Sequence, residues 1–154
     1  MKRITDPSRA AAYGVIGAIG FFGLAAQTLL FRDFLAVFEG NELGLALFFC
    51  SWLLWVAVGA FLGRWWGLAP DWVRDHFEFM PLLYLPAYVL QEWLIGNARD
   101  FAGIKSYELF PLARMIPFAL LANAPVSLCS GWFFTRACQW LGGRQPAPVA
   151  TVYI

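Results

Sequence analysis

The side chains in this sequence that could carry acid–base or ligand chemistry are few and scattered. The only histidine is His76, and the three cysteines, Cys50, Cys129 and Cys138, form no Cys-x-x-Cys pair. A His-rich zinc site, or a haem with two histidine ligands, cannot be built from a single histidine. The sequence also contains no evident nucleophile–base pair or phosphate-binding glycine loop. We therefore expect neither an enzyme nor a cofactor held by the chain's own side-chain ligands, while contact with lipid, quinone or pigment stays open.

A second group of polar residues lies inside or beside long apolar runs. Polar and charged side chains in such places usually pair, reach water or serve a function, because burying them in hydrocarbon is costly. Asn123 and Ser127 are four residues apart and share a helix face, which predicts either contacts between helices or the lining of a path. The candidate site residues are Gln27, Arg32, Asp33, Glu39, Asn41, Glu42, Gln91, Glu92, Asn123 and Ser127.

The elements that must position these residues are predicted to be membrane-spanning helices. The chain has 154 residues, of which 60% are hydrophobic and 14% charged, whereas soluble domains are about 25% charged. A spanning helix needs about 20 mainly apolar residues. Four segments meet this requirement, and they predict an all-α bundle of four transmembrane helices over residues 10–31, 43–63, 79–98 and 115–135.

The distribution of basic residues predicts the orientation of these spans. If residues 1–9 form a basic cytoplasmic N-terminus, seven of the 11 Lys and Arg residues fall on the inner side and four on the outer side. This excess favours a topology with both ends in the cytoplasm. The tail, residues 136–154, ends as a fifth apolar segment begins. A net charge of +1 gives no indication of a nucleic-acid partner.

This topology places Arg32 and Glu92 near the outer ends of the first and third spans. We therefore expect Arg32 to pair with Glu92 or Asp33, so that no lone charge is partly buried. Glu92 could instead lie within a turn of the interface and reach water. The segment from Arg32 to Glu42 is predicted to end one span and to turn the chain at Gly40-Asn41, with recognition of a partner or solute as the alternative role.

Small residues predict where helices approach one another. Glycines recur every three residues in the first span, and the second span ends in a Gly-x-x-x-Gly pair, a pattern typical of close helix contacts in membranes. Proline positions predict local geometry: Pro81 suits a first helical turn, whereas Pro86 predicts a kink. The predicted helix-packing glycines are Gly14, Gly17, Gly20, Gly23, Gly59 and Gly63.

Several blocks of the sequence resemble the membrane part of bacterial spermidine-synthase-like membrane proteins. The blocks are Leu24-x-x-Gln27-x-Leu29-x-x-Arg32-Asp33-Phe34-Leu35-x-Val37-Phe38-x-Gly40-Asn41-Glu42-Leu43, Trp52-Leu53-Leu54-Trp55-x-x-x-Gly59, and Ala124-Pro125-Val126-Ser127-x-x-x-Gly131. The resemblance implies a multi-pass helical bundle in the bacterial inner membrane, commonly fused to a soluble aminopropyltransferase-type domain.

The chain departs from that family at two points. Asp33 stands where the resemblance leads us to expect glutamate, and the motifs of the soluble domain are missing from the sequence. The resemblance therefore does not imply aminopropyl transfer. It implies instead a separate membrane half, or a chain cut at Ile154.

Three functions agree with these patterns. The first is an integral membrane scaffold or assembly subunit that packs against lipid and other membrane subunits through glycine and aromatic faces. The second is a half-unit of a small-solute transporter, since proline-broken helices often surround transport sites. The third is an accessory subunit of a membrane redox or pigment complex whose cofactors are held by other subunits.

Overall fold

A computed structural model of the chain describes residues 7–38, 42–65, 79, 82–105 and 108–142. Within these ranges the protein consists of helices, turns and short connections, with no β-strand. The fold class predicted from the sequence, all-α, is therefore confirmed for the described part. The helices are α1 (Pro7–Val37), α2 (Glu42–Trp65), α3 (Tyr84–Gly96), α4 (Ala98–Ala102), α5 (Leu112–Ala122) and α6 (Ala124–Gly142).

The length and composition of the helices are those of a membrane protein. Two helical segments, Tyr13–Val37 in α1 and Glu42–Arg64 in α2, are long and apolar enough to cross a bilayer. Helices α5 and α6 together meet the same criterion, but they are bent by 42° relative to each other. Among the described residues there are thus two candidate spans, or three if the bent pair counts as one.

Helix α3 is shorter than the predicted third span, residues 79–98. It has 13 residues, which at 1.5 Å per residue gives a length of about 20 Å. The predicted kink at Pro86 is wrong, because Pro86 is the third residue of α3 and lies in its first turn. Backbone N–H groups there have no intrahelical partner in any case, so proline is tolerated without bending the helix. Pro81 lies outside the described residues.

The predicted fourth span, residues 115–135, is two helices rather than one. The break falls at Asn123, immediately before the Ala124-Pro125 pair. Proline lacks an N–H and disfavours helical geometry in the preceding residue, which explains why the helix is interrupted near this position. Pro117 lies inside α5. The break turns a continuous apolar segment into two helices whose ends meet inside the protein.

Helices α2 and α6 approach so closely that their backbones touch. A Cβ atom on Gly131 of α6 would overlap the Val56 carbonyl oxygen and lie 2.8 Å from the Ala60 nitrogen. A Cβ atom on Gly59 would likewise overlap the Leu128 carbonyl, and one on Gly63 would lie 3.0 Å from Thr135. Real Cβ atoms essentially never come as close as those on Gly59 and Gly131 would, so glycine is required at these two positions, whereas at Gly63 a Cβ atom would only be tight.

Aromatic side chains fill the core between the end of α1 and the start of α2. Phe34, Phe38 and Phe48 are fully buried. The Phe34 and Phe38 rings stack with their centroids 4.3 Å apart, and the Phe38 ring lies 4.6 Å from that of Phe110. Phe31 adds a contact to Phe48 at 5.0 Å. This aromatic core packs the end of α1 against the start of α2. Buried polar residues lie next to it, around the Phe48 carbonyl.

Candidate functional site

Four polar side chains form a buried polar cluster where α2 and α3 meet the break between α5 and α6. They are Ser51, Gln91, Asn123 and Ser127, and each is at most 3% exposed. Three of the four were predicted as site residues from the sequence, whereas Ser51 was not. Because apolar side chains surround them, each polar atom needs a partner within the protein.

Gln91 of α3 bridges the cluster to the start of α6. Its Nε2 donates to the Asn123 Oδ1 at 3.1 Å, and its Oε1 accepts the Val126 backbone N–H at 3.0 Å. Val126 lies in the first turn of α6, where N–H groups lack partners within the helix. Gln91 therefore caps α6 from a neighbouring helix.

Asn123 links the break to α2. Its Nδ2 donates to the Ser51 Oγ at 2.6 Å and to the Phe48 carbonyl oxygen at 3.3 Å. The Ser51 hydroxyl donates to the Leu47 carbonyl at 2.7 Å, and the Ser127 hydroxyl donates to the Asn123 carbonyl. The cluster thus joins α2, α3 and both halves of the broken helix.

A tryptophan satisfies a further main-chain group beside the break. The Trp55 Nε1 of α2 donates to the Leu120 carbonyl oxygen at 2.7 Å. In an unbroken helix that carbonyl would accept the N–H of Ala124. At the first residue of α3, the Tyr84 hydroxyl donates to the Ser130 Oγ of α6 at 3.1 Å. Main-chain groups at the end of α5 and at the start of α6 are therefore bonded to side chains of α2 and α3.

The chemistry available to this cluster is that of hydrogen bonding between neutral groups. Amides and hydroxyls neither titrate near neutral pH nor supply a strong nucleophile without an adjacent base. The described part of the chain holds no group of three His, Cys, Asp or Glu residues placed to bind a metal ion. Because the cluster's amides and hydroxyls bond to one another and to the backbone, their arrangement is that of contacts between helices.

The charged candidates lie away from the cluster. The Arg32 Nε is 3.7 Å from the Asp33 Oδ1, and the Arg32 side chain is 83% exposed. The carboxylate beside Arg32 is thus Asp33, one of the two partners expected for it, and the guanidinium is not partly buried. Glu92 is exposed on α3, and Glu42 is exposed at the start of α2.

The remaining candidates are placed as follows. Gln27 is half-buried on α1, away from the cluster's hydrogen bonds described above. Glu39 and Asn41 lie outside the described residues, as do Gly40 and the predicted turn. His76 falls outside them as well. Of the sequence-predicted set, Gln91, Asn123 and Ser127 thus come together in the cluster, whereas Gln27 and the described charged residues do not join it.

Replacing Arg32 by glutamine should change stability little. The pair with Asp33 is exposed, and exposed ion pairs contribute roughly 0–1 kcal/mol. We expect the free energy of unfolding in detergent micelles to fall by less than about 0.5 kcal/mol, as for an ordinary surface substitution. Asp33→Asn provides the matched control. A loss of several kcal/mol in either variant would show that the pair is buried by lipid or by a partner.

The glycines of α1 differ from those between α2 and α6. Nothing lies within 4 Å of a Cβ atom built on Gly14, Gly17 or Gly20, and all three residues are exposed. At Gly23 such an atom would meet the Tyr84 hydroxyl at 3.5 Å. Within the described residues, Gly14, Gly17 and Gly20 thus contact no other helix.

Four residues were not predicted from the sequence: Ser51 and Trp55 of this site, and Gly131 and Arg99, which hold the surrounding helices together. Ser51 and Trp55 stand in an apolar run without a distinguishing pattern. The role of Gly131 could have been predicted, because small side chains recur every four residues at Ser127, Gly131 and Thr135, a pattern typical of close helix contacts. Arg99 donates to the carbonyl oxygens of Val37, Lys105 and Glu108, which no local pattern indicates.

Comparison with known proteins adds no relative. Family models, curated proteins and solved structures were all searched, and none matched the chain.

Proposed function

We propose that this chain is an integral membrane scaffold or assembly subunit, which packs against other membrane subunits. The observation that carries this proposal is the open glycine face of α1, formed by Gly14, Gly17 and Gly20. In a bilayer such a face lets the backbone of another helix approach closely. The same helix is long and apolar enough to cross the membrane, so the face is within reach of other membrane helices.

The way glycine is used elsewhere in the chain supports this interpretation. Gly59, Gly63 and Gly131 each lie against the backbone or side chains of a neighbouring helix, at distances that a larger residue would not permit. Glycine costs about 1 kcal/mol relative to alanine inside a helix. Three glycines in one helix without an internal contact are therefore well explained by a contact with another chain.

The polar cluster also supports a structural role. Its amides and hydroxyls bond to one another and to main-chain groups, as interhelical contacts do. A subunit of this kind would leave cofactors or a solute site to its partners. This division of roles agrees with the scarcity of ligand-forming side chains in the sequence.

The proposal includes a four-span topology. Helices α1 and α2 would be the first two spans, α3 part of the third and the bent pair α5–α6 the fourth. Both ends would lie in the cytoplasm, as the excess of basic residues on that side favours. The resemblance to spermidine-synthase-like membrane proteins supports a location in the bacterial inner membrane.

Replacing Gly17 by leucine should release the partner subunits without unfolding the chain. Space around Gly17 is open, so the added side chain disturbs only a helix that approaches from outside. We expect the amount of co-purified partner to fall about 10-fold, equivalent to ~1.4 kcal/mol of binding free energy. The measurement is native mass spectrometry and quantitative proteomics of the tagged chain, solubilised from its own membranes in mild detergent.

Gly96→Leu is the matched control. Gly96 also has nothing within 4 Å of a Cβ atom, but it lies at the end of α3, away from the glycine face of α1. This variant should keep the wild-type partners. A wild-type chain that purifies alone, or partners retained in full by Gly17→Leu, would contradict the proposal.

A further inference from the structure

The segment between α3 and α5 turns one of its charged side chains, that of Arg99, towards the protein. Here this segment, taken together with Leu112, the first residue of α5 (residues 97–105 and 108–112), is called the α4 segment. The guanidinium of Arg99 is half-buried, and its Nη1 donates to the Val37 carbonyl oxygen at 3.0 Å. Its Nη2 donates to the carbonyl oxygens of Lys105, at 2.9 Å, and Glu108. Arg99 therefore fastens both sides of the segment to the end of α1.

The same segment directs large apolar side chains outward. Leu109 is 82% exposed and Phe101 54% exposed, and Leu112 is exposed as well. The Phe101 ring packs edge-on against Trp93 of α3, with centroids 5.5 Å apart, and Trp93 is itself 53% exposed. The segment also buries Ala98, Ala102, Ile104 and Phe110 and exposes several charges, but large apolar side chains exposed to this extent are what water disfavours.

The position of this surface along the bundle matches the edge of a bilayer. Val37, which Arg99 contacts, is the last residue of α1 and the end of its candidate membrane span. On α3, the exposed residues Leu85, Val89 and Trp93 are spaced four apart and form one stripe that leads to Phe101. Tryptophan is enriched at the level of lipid headgroups. The apolar surface of the α4 segment thus continues the apolar stripe of α3.

We propose that the α4 segment lies in the interfacial layer of the membrane and that phospholipid covers its apolar surface. Phe101, Leu109 and Trp93 contact acyl chains just below the headgroups. The exposed charges of the segment are of both signs: Lys105 is exposed, and so are Asp100 and Glu108. Such a mixture suits a zwitterionic headgroup layer and needs no anionic lipid.

The depth of Leu109 in the bilayer tests this proposal. In a chain whose native cysteines are replaced by alanine, Leu109→Cys carries an environment-sensitive fluorophore, and the purified chain is placed in phosphatidylcholine nanodiscs. We expect strong quenching by lipids with a nitroxide near the headgroup, and weaker quenching by lipids with a nitroxide near the end of the acyl chain. Quenching by aqueous iodide should be severalfold weaker than for Glu108→Cys, the matched control on the neighbouring residue. Phe101→Cys should behave like Leu109→Cys.

Two outcomes would overturn the proposal. Iodide quenching of Leu109→Cys equal to that of Glu108→Cys would place the segment in water. Protection from both iodide and nitroxide lipids would show that protein covers it, which in the purified sample means a second copy of the chain. Because the purified chain is used without partner subunits, this test does not depend on the scaffold proposal.

Discussion

Leucine at position 131 should abolish the stable packing of α2 against α6. The new side chain would begin at a Cβ atom that already overlaps the Val56 carbonyl oxygen, so the two backbones would have to separate along their whole contact. Overpacking in a core costs about 1–3 kcal/mol and occasionally more. Since main-chain atoms are the obstacle here, we expect a loss of at least about 3 kcal/mol in the free energy of unfolding.

Equilibrium unfolding in mixed micelles, with increasing fractions of a denaturing detergent, measures this loss. Gly131→Ala should be intermediate, because alanine adds the same Cβ atom with no further atoms. Gly96→Leu, where an added Cβ atom meets nothing within 4 Å, should leave stability close to that of the wild type. If Gly131→Leu unfolded at the same detergent fraction as Gly96→Leu, the close approach of α2 and α6 would be wrong.

Removing the Gln91 amide should also destabilise the bundle strongly. Gln91→Met keeps a side chain of similar length but leaves the Val126 N–H and the Asn123 Oδ1 without the partner seen here. A buried polar group that loses its partner costs about 1–3 kcal/mol. We expect the free energy of unfolding to fall by an amount in this range for Gln91→Met. Asn123→Leu should cost a similar amount, because the Asn123 amide also contacts Ser51.

The double variant distinguishes a bonded pair from two independent residues. Removing both amides leaves fewer orphaned groups than the two single changes added together. The double-mutant cycle should therefore show a coupling of about 0.6 kcal/mol, the average for interhelical hydrogen bonds in a membrane protein, and at most about 1.7 kcal/mol. Thr28→Val is the control partner, since its hydroxyl is exposed and bonds within α1; paired with Gln91→Met it should show no coupling. Additive effects for Gln91 and Asn123 would contradict the bridge.

The sequence predicted those features that depend on local composition. Apolar runs of sufficient length identified α1 and α2, because the cost of exposing a polar backbone to lipid makes such runs helical. Gly59 and Gly63 were named as packing residues from their spacing alone, and the structure places both against α6. Asn123 and Ser127 were expected on one face, and both are buried in the polar cluster.

Features that depend on which helices meet could not be predicted in this way. Nothing in the spacing around Ser51 or Trp55 shows that these side chains face the break after α5, since that depends on the relative rotation of two helices. Proline signals were ambiguous for a similar reason. Pro86 lies in the first turn of α3, where it bends no helix, whereas Pro125 lies just after the break between α5 and α6. The sequence alone does not show where each helix begins.

The order of residues along the chain matters for how the break at Asn123 can form during synthesis. The side chains that bond the main-chain groups beside it, Trp55 and Gln91, are both translated before Asn123. Their helices can therefore be in place when the Leu120 carbonyl and the Val126 N–H arrive. If α5 and α6 cross the membrane as one bent span, these groups would in the reverse order wait in hydrocarbon, where an unsatisfied backbone group costs several kcal/mol. The broken helix is thus suited to assembly from the N-terminus towards the C-terminus.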